Sequence, residues 1–240
     1  MRLSSLALRL ETHSLHTCEG ITMDDVRKIL RNISDAASDR GAPLDWFEDL
    51  YDFAGKDPTF IPWSKGEPHP FLVDWMDKHA GQEGTALVVG CGLGEDAVYL
   101  AEKGWTVTAF DLSESAIHWA QELHPNQTIS WEVGDLLEPN PTWIGKFDLV
   151  LEVHILQAIP EIFRIPASQN LAPFVGQGGQ LICIGRMENP LNMIEVDGPP
   201  WPLEQSFIES IGKTLNPTDM YIVQYEEENH LRYRAVWHRS

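Results

Sequence analysis

Gly90-Cys91-Gly92-Leu93-Gly94 closes an apolar run, Ala86-Leu87-Val88-Val89, and opens a segment with apolar residues at helical spacing. Glycines at such a turn let the backbone approach a ligand closely and present N–H groups to it. Asp111 ends the next strand-like run, Thr106 to Phe110, where a carboxylate can accept hydrogen bonds from ribose hydroxyls. Gly134-Asp135-Leu136 follows a third run, Ile129 to Val133, and its carboxylate suits an adenine amino group. Together these positions specify an adenosine-type ligand. The plain alternative is a tight turn that binds nothing.

The spacing decides between cofactors. Dinucleotide folds carry G-x-G-x-x-G with a pyrophosphate at the helix N-terminus, whereas this turn reads G-x-G-x-G and is followed at once by Glu95 and Asp96. Two carboxylates there repel a pyrophosphate but tolerate the zwitterionic methionine moiety and the sulfonium of S-adenosylmethionine. That cofactor is expected, and an NAD-dependent oxidoreductase is disfavoured. The expected cofactor contacts are Gly90, Cys91, Gly92, Gly94, Asp111, Leu112, Asp135, Leu136, Glu152 and, from an aromatic segment upstream, Trp63, whose ring can stack on adenine or meet a sulfonium.

From Thr85 onward strand-like and helix-like segments alternate, the pattern of a mostly parallel sheet covered on both faces. Further strands are expected at Phe147 to Val153 and Gln180 to Gly185, with short helical pieces between them broken by Pro160, Pro166 and Pro173. A helix is expected from Leu203 to Ile211, then strands at Tyr221 to Tyr225 and Arg232 to Trp237 joined by the acidic turn Glu226-Glu227-Glu228-Asn229. Residues 1–22 lack periodicity and read as an extension upstream of a candidate start at Met23, while 23–84 form an N-terminal helical cover and 85–240 the cofactor-binding core. Within residues 40–75 of the cover, Trp46, Trp63 and Trp75 crowd together with Pro58, Pro62, Pro68 and Pro70, too much proline for a long helix and too much aromatic surface for a linker.

With 17 Lys and Arg against 36 Asp and Glu, the formal charge of −19 opposes a nucleic-acid partner. No apolar run reaches the roughly 18 residues of a membrane span. Cys18, Cys91 and Cys183 are too scattered for a disulfide framework or a zinc site, which points to a reducing, cytoplasmic setting. No His, Cys or acid cluster suggests a metal.

Leu87 to Gly94, Phe110-Asp111-Leu112-Ser113, Gly134-Asp135-Leu136, Phe147-Asp148-Leu149-Val150 and Gly178-Gly179-Gln180-Leu181 resemble the successive motifs of class I S-adenosylmethionine-dependent methyltransferases. Within that superfamily, Trp46, Ile61-Pro62-Trp63-Ser64-Lys65-Gly66, Pro70, Cys91 to Asp96, Asp111 to Ala116 and Gly198-Pro199-Pro200-Trp201 are similar to the thiopurine, thiol and halide methyltransferase branch. The resemblance implies an α/β, Rossmann-like fold with a seven-stranded, mostly parallel sheet ending in a C-terminal antiparallel hairpin, and an N-terminal aromatic segment folded over the cofactor. Val88 stands where many class I enzymes have an acid, a change shared by the branch, whereas Ser64-Lys65 replaces the acid and Gln common there.

The implied activity is methyl transfer to a small molecule, with a thiol, related sulfur or halide as preferred acceptor. The rivals are O- or N-methylation of a small metabolite and a binding protein that retains S-adenosylmethionine without acting. Glu152 and His154, at the end of the fourth strand, are the candidate catalytic groups. His154 is a candidate general base because imidazole titrates near neutrality, although lining the pocket without proton transfer is the favoured reading. A thiolate needs no strong base. His69 and Arg186 are weaker candidates, Arg186 as a partner for an anionic substrate.

Overall fold

The computed structural model describes residues 22–192, 198–226 and 228–240, so all of the 1–22 extension except Thr22 lies outside the described residues. Strands β1 (Thr85–Val89), β2 (Thr106–Asp111), β3 (Ile129–Val133), β4 (Phe147–Val153), β5 (Val175–Met187), β6 (Asn216–Val223) and β7 (Leu231–His238) form one sheet in the order β3-β2-β1-β4-β5-β7-β6. Pairing is parallel from β3 to β5 and antiparallel through β5·β7 and β6·β7. The chain leaves β1 for β2 on one side and later returns to β4 on the other. The carboxyl ends of β1 and β4 therefore flank a crevice at the switch in strand order, where α/β sheets bind ligands.

Parallel strands covered on both faces must be apolar at consecutive positions, and Ala86, Leu87, Val88 and Val89 are all buried. Leu87 and Val89 join Phe110, Leu156, Leu171 and Phe174 on one face. Ala86 and Val88 join Phe71, Trp75, Ala97 and Leu100 on the other, beneath α3 (Pro70–Lys78) and α4 (Glu95–Glu102). A third cluster lies outside the sheet, where Val26 and Leu30 of α1 (Met23–Asp39), Trp46 and Leu50 of α2 (Trp46–Ala54), and Trp119 of α5 (Glu114–Leu123) pack together. A capping box starts α1: the Thr22 hydroxyl accepts the Asp25 N–H at 3.2 Å, and the Asp25 carboxylate accepts the Thr22 N–H at 3.1 Å.

Four local expectations change, the first being β6, which begins at Asn216, five residues before the expected Tyr221, and ends at Val223. The segment after α6 (Ile155–Ala158) is one helix, α7 (Glu161–Phe174), which contains Pro166 and Pro173 instead of breaking at them. Pro166 sits on the exposed side of α7, as do Ile162 and Ile165, so the carbonyl that loses its partner is hydrated. Strand β5 begins five residues before the expected Gln180, and the register of β4·β5 shifts between Phe147 and Leu149 to admit the extra length. Helix α8 (Gln205–Ile211) starts after Leu203, whose N–H instead donates to the Arg186 carbonyl at 3.0 Å.

The buried Arg234 of β7 fastens α3 to the sheet. Its guanidinium donates to the Phe71 carbonyl at 3.0 Å, to Asp74 at 2.7 Å and to Asp219 at 2.9 Å. Because both carboxylates are partly exposed, their loss of a partner is softened by water. Arg234→Met is expected to lower stability by about 1–3 kcal/mol, read as a lower denaturant midpoint at unchanged slope; an unchanged midpoint would show that α3 is held by its apolar face alone.

Candidate active site

Gly90, Gly92 and Gly94 take φ of +59°, +53° and +90°, in the left-handed region that strains any side-chain-bearing residue. At Gly92 space is short as well: a Cβ there would stand 3.0 Å from the Tyr51 hydroxyl and 3.6 Å from Trp63 Nε1. Asp111, buried at the end of β2, holds the turn in place. Its Oδ2 accepts the Gly92 N–H at 2.9 Å and its Oδ1 the Ser113 N–H at 2.9 Å, while burial pushes its carboxyl above the ordinary range. Each oxygen keeps a lone pair for a ribose hydroxyl.

Asp135 is half-buried and accepts the Leu137 N–H at 2.7 Å through Oδ1; its other oxygen takes no hydrogen bond among the described residues. Leu136 is buried beside it, and Leu112 stands on the rim. These residues line one cleft with Val89, Gly90 and Phe110, closed on its outer side by Leu44 and Phe47. Cys91 takes part through its backbone, its N–H donating to the Phe110 carbonyl at 2.9 Å, and burial pushes its thiol well up, away from thiolate chemistry. A narrow turn that excludes side chains, a half-buried acid with an uncommitted oxygen and an apolar slot between them can accommodate an adenosyl group.

The cover is tied to this turn by polar threads. The Ser64 hydroxyl and the Gly66 N–H both donate to Glu95 Oε1, and the His69 N–H donates to Asp96 Oδ1 at 2.7 Å. The two acids read in the sequence as tolerating a sulfonium are thus engaged by the cover, and burial pushes Asp96 up to about 6. Trp63 Nε1–H donates to the Tyr51 hydroxyl at 3.0 Å, and its ring stands edge-on to Trp46 and Tyr51. Trp63 is 43% exposed. Glu48 clasps the start of α5, accepting from the Ser113 hydroxyl at 2.7 Å, the Ser115 N–H at 3.1 Å and the Ser115 hydroxyl at 2.6 Å. Sequence reasoning passed over Glu48 and Tyr51. The available signal was two polar groups three residues apart in the helix that Trp46 begins.

At the end of β4, Glu152 Oε1 accepts the N–H groups of Ile155 at 2.7 Å and Leu156 at 3.1 Å, which starts α6. Its Oε2 is buried with no N–H or hydroxyl partner among the described residues, the Cys183 thiol lies against the carboxyl, and burial pushes that carboxyl up to about 7. His154 takes φ +63°, and its Nδ1 lies 2.8 Å from Gln157 Oε1. The backbone fixes how that amide points: Gln157 Nε2 donates to the carbonyls of Arg186 and Trp201, and Oε1 accepts the Arg186 N–H at 2.8 Å. His154 Nδ1 must therefore carry a hydrogen. Burial depresses this imidazole to about 3, and burial with the Arg232 charge depresses His69, its ring 5.6 Å away, to about 4. Both rings are neutral at pH 7. Gln157, which orients His154, carried no signal in the sequence.

Among the described residues no group of three His, Cys, Asp or Glu is placed to hold a metal ion, and no helix is long and apolar enough to cross a membrane.

The sequence matches the family model for thiopurine S-methyltransferase over residues 57–233. Thiocyanate methyltransferase 1 of Arabidopsis thaliana is 30% identical over 173 residues, covering 70% of this chain and 72% of that protein. Probable thiol methyltransferase 2 of the same plant is 27% identical over 156 residues, 62% of this chain and 66% of the relative. Among solved structures, magnesium protoporphyrin IX methyltransferase from Synechocystis PCC 6803 with bound SAH superposes with a TM-score of 0.62 at 17% identity, over 81% of this chain and 98% of that one, a likeness of fold. With a family match across most of its length, the chain belongs to the thiopurine S-methyltransferase family and is an S-adenosylmethionine-dependent methyltransferase.

Proposed function

We propose that the chain methylates the sulfur of a small thiol, or a related sulfur or halide acceptor, at the carboxyl ends of β1 and β4. The observation that carries this reading is the state of His154. Its imidazole is buried, tied to Gln157 and depressed to about 3, so it is a poor acceptor for the proton of a phenol or an ammonium group at neutral pH. A thiol ionises in part without help, and its thiolate is intrinsically nucleophilic. The sulfur acceptors named for the plant relatives agree with this choice. The net charge of −19 suits a small acceptor over a nucleic acid, and the free thiols Cys91 and Cys183 suit the cytoplasm.

S-adenosylmethionine supplies an already activated methyl group. In this reading the backbone of Gly90, Cys91, Gly92 and Gly94 runs along its methionine end, with Asp111 and Leu112 at its ribose and Asp135 and Leu136 at its adenine. Trp63 closes over the turn, and Glu152 holds the start of α6, and with it His154, in place. The chain orients the acceptor and excludes water, which is where an in-line displacement gains most.

Three outcomes follow. S-adenosylhomocysteine should raise the melting temperature by mass action, and Asp135→Ala should weaken its binding about tenfold or more while the ligand-free protein melts as before; unchanged affinity would remove Asp135 from the site. With a thiol acceptor, kcat/KM should climb with the thiolate fraction and show no inflection from His154 between pH 5 and 8, because a group titrating at about 3 stays neutral across that range. His154→Ala should cost less than tenfold, against the roughly 10²–10⁴-fold lost with a true general base; activity confined to phenols or amines would defeat the sulfur assignment. Finally, the tryptophan fluorescence change on cofactor binding should shrink in Trp63→Phe, and an identical change in both proteins would place Trp63 away from the ligand.

A further inference from the structure

Arg186 of β5 and Arg232 of β7 stand directly opposite each other in the antiparallel pairing, so their side chains leave the sheet on the same face. Like charges placed so are destabilising unless something neutralises them. Glu228 hydrogen-bonds only one of the two, although its charge also reaches Arg186. It accepts from Arg232 Nε at 2.7 Å and from a terminal nitrogen of the same guanidinium, and it lies 3.2 Å from His230. Arg186 has no carboxylate within ion-pair distance among the described residues, its Nε is buried without a hydrogen-bond partner, and the side chain is half-buried. Among the described residues of a chain of net charge −19, this is a half-buried cation with no ion pair, and cations drawn out of water are ordinarily paired.

Its position says what it faces. Gln157 Oε1 accepts from both the Arg186 N–H and His154 Nδ1, so Arg186 follows the His154 corner directly. The charges of Arg186 and Arg232 both reach His154, and that of Arg232 reaches His69. His69 in turn is bonded to Asp96 in the helix that follows the glycine turn. The two neutral imidazoles carry no charge of their own against the positive field that reaches them, and Glu228 offsets only part of that field at its source.

From this arrangement we infer that Arg186, backed by Arg232, is a specificity-determining anion subsite, and that the acceptor is a small thiol bearing a separate carboxylate a few bonds from its sulfur. The inference rests on the reading of the neighbouring cleft as a methyl-transfer site. The guanidinium would receive the carboxylate through its uncommitted N–H groups, a geometry an ammonium does not reproduce. The sulfur would then lie toward His154 and the glycine turn.

Calorimetry on the enzyme loaded with S-adenosylhomocysteine tests this with 3-mercaptopropanoate and 3-mercaptopropanamide, which differ in charge and little in shape. The acid should bind about tenfold or more tightly than the amide. Arg186→Gln should reduce that preference to within about twofold by weakening the acid alone, and Arg186→Lys, which keeps the charge, should retain part of it. Equal binding of acid and amide by the unaltered protein overturns the inference, as does an equal loss for both ligands in Arg186→Gln. Should the Gln variant fail to fold, the acid–amide comparison in the unaltered protein and in Arg186→Lys still decides. Preferential acid binding without methylation of either thiol would sink the sulfur reading and leave the carboxylate subsite standing.

Discussion

Two backbone N–H groups, from Gly92 after β1 and from Ser113 after β2, converge on the buried carboxylate of Asp111. Among the described residues no cation is placed to neutralise that carboxylate, so these donors are what make its burial tolerable. The bonds also dictate geometry, because they hold the two strand-to-helix turns at one spacing across the crevice. A left-handed backbone at Gly92 is what aims its N–H at the acid. From that knot the rest is positioned: Gly94 starts α4, and Ser113 caps α5 by accepting the Ala116 N–H at 2.9 Å.

Much of the acidity of the chain near the cleft is turned inward and spent on donors in neighbouring elements. Glu48, Glu95 and Asp96 each bind hydroxyls or backbone N–H groups of another segment instead of a basic side chain. The result is a cover attached by directional bonds at three places, with Trp46, Tyr51, Trp63 and Trp119 filling the space between. Apolar packing alone would let such a segment slide, since aromatic contacts are weakly directional. The hydrogen bonds set its register over the glycine turn.

Where the cover meets the end of β4, the electrostatic character is different. His69 and His154 are held neutral by burial, and the arginines of β5 and β7 extend positive potential towards them. A neutral, weakly basic wall beside a cationic one disfavours proton abstraction and favours an acceptor that arrives already negative. That division between the acidic, cover-bound side and the cationic side follows from strand order, which sets the end of β4 beside β5, with β7 next beyond it, and away from β3.

The alternation of strands and helices was legible in the sequence because buried parallel strands must be apolar at consecutive positions, as in Ala86 to Val89, and because glycines mark where the chain turns back. The glycine turn, the acid ending β2 and the acid just past β3 stood out for a similar reason: their placement is local, set by left-handed backbone and by position at or just after a strand end. The course of α7 through Pro166 was not, since it depends on which side of the helix faces water. Nor were the partners of Glu48, Tyr51 and Gln157, or the opposition of Arg186 and Arg232, which join residues far apart in the chain. No spacing rule relates positions 48 and 113, or 186 and 232. Only the packing of the cover and the register of β5 on β7 bring them together, because hydrogen bonds and charges act over a few ångströms of space whatever their separation along the chain.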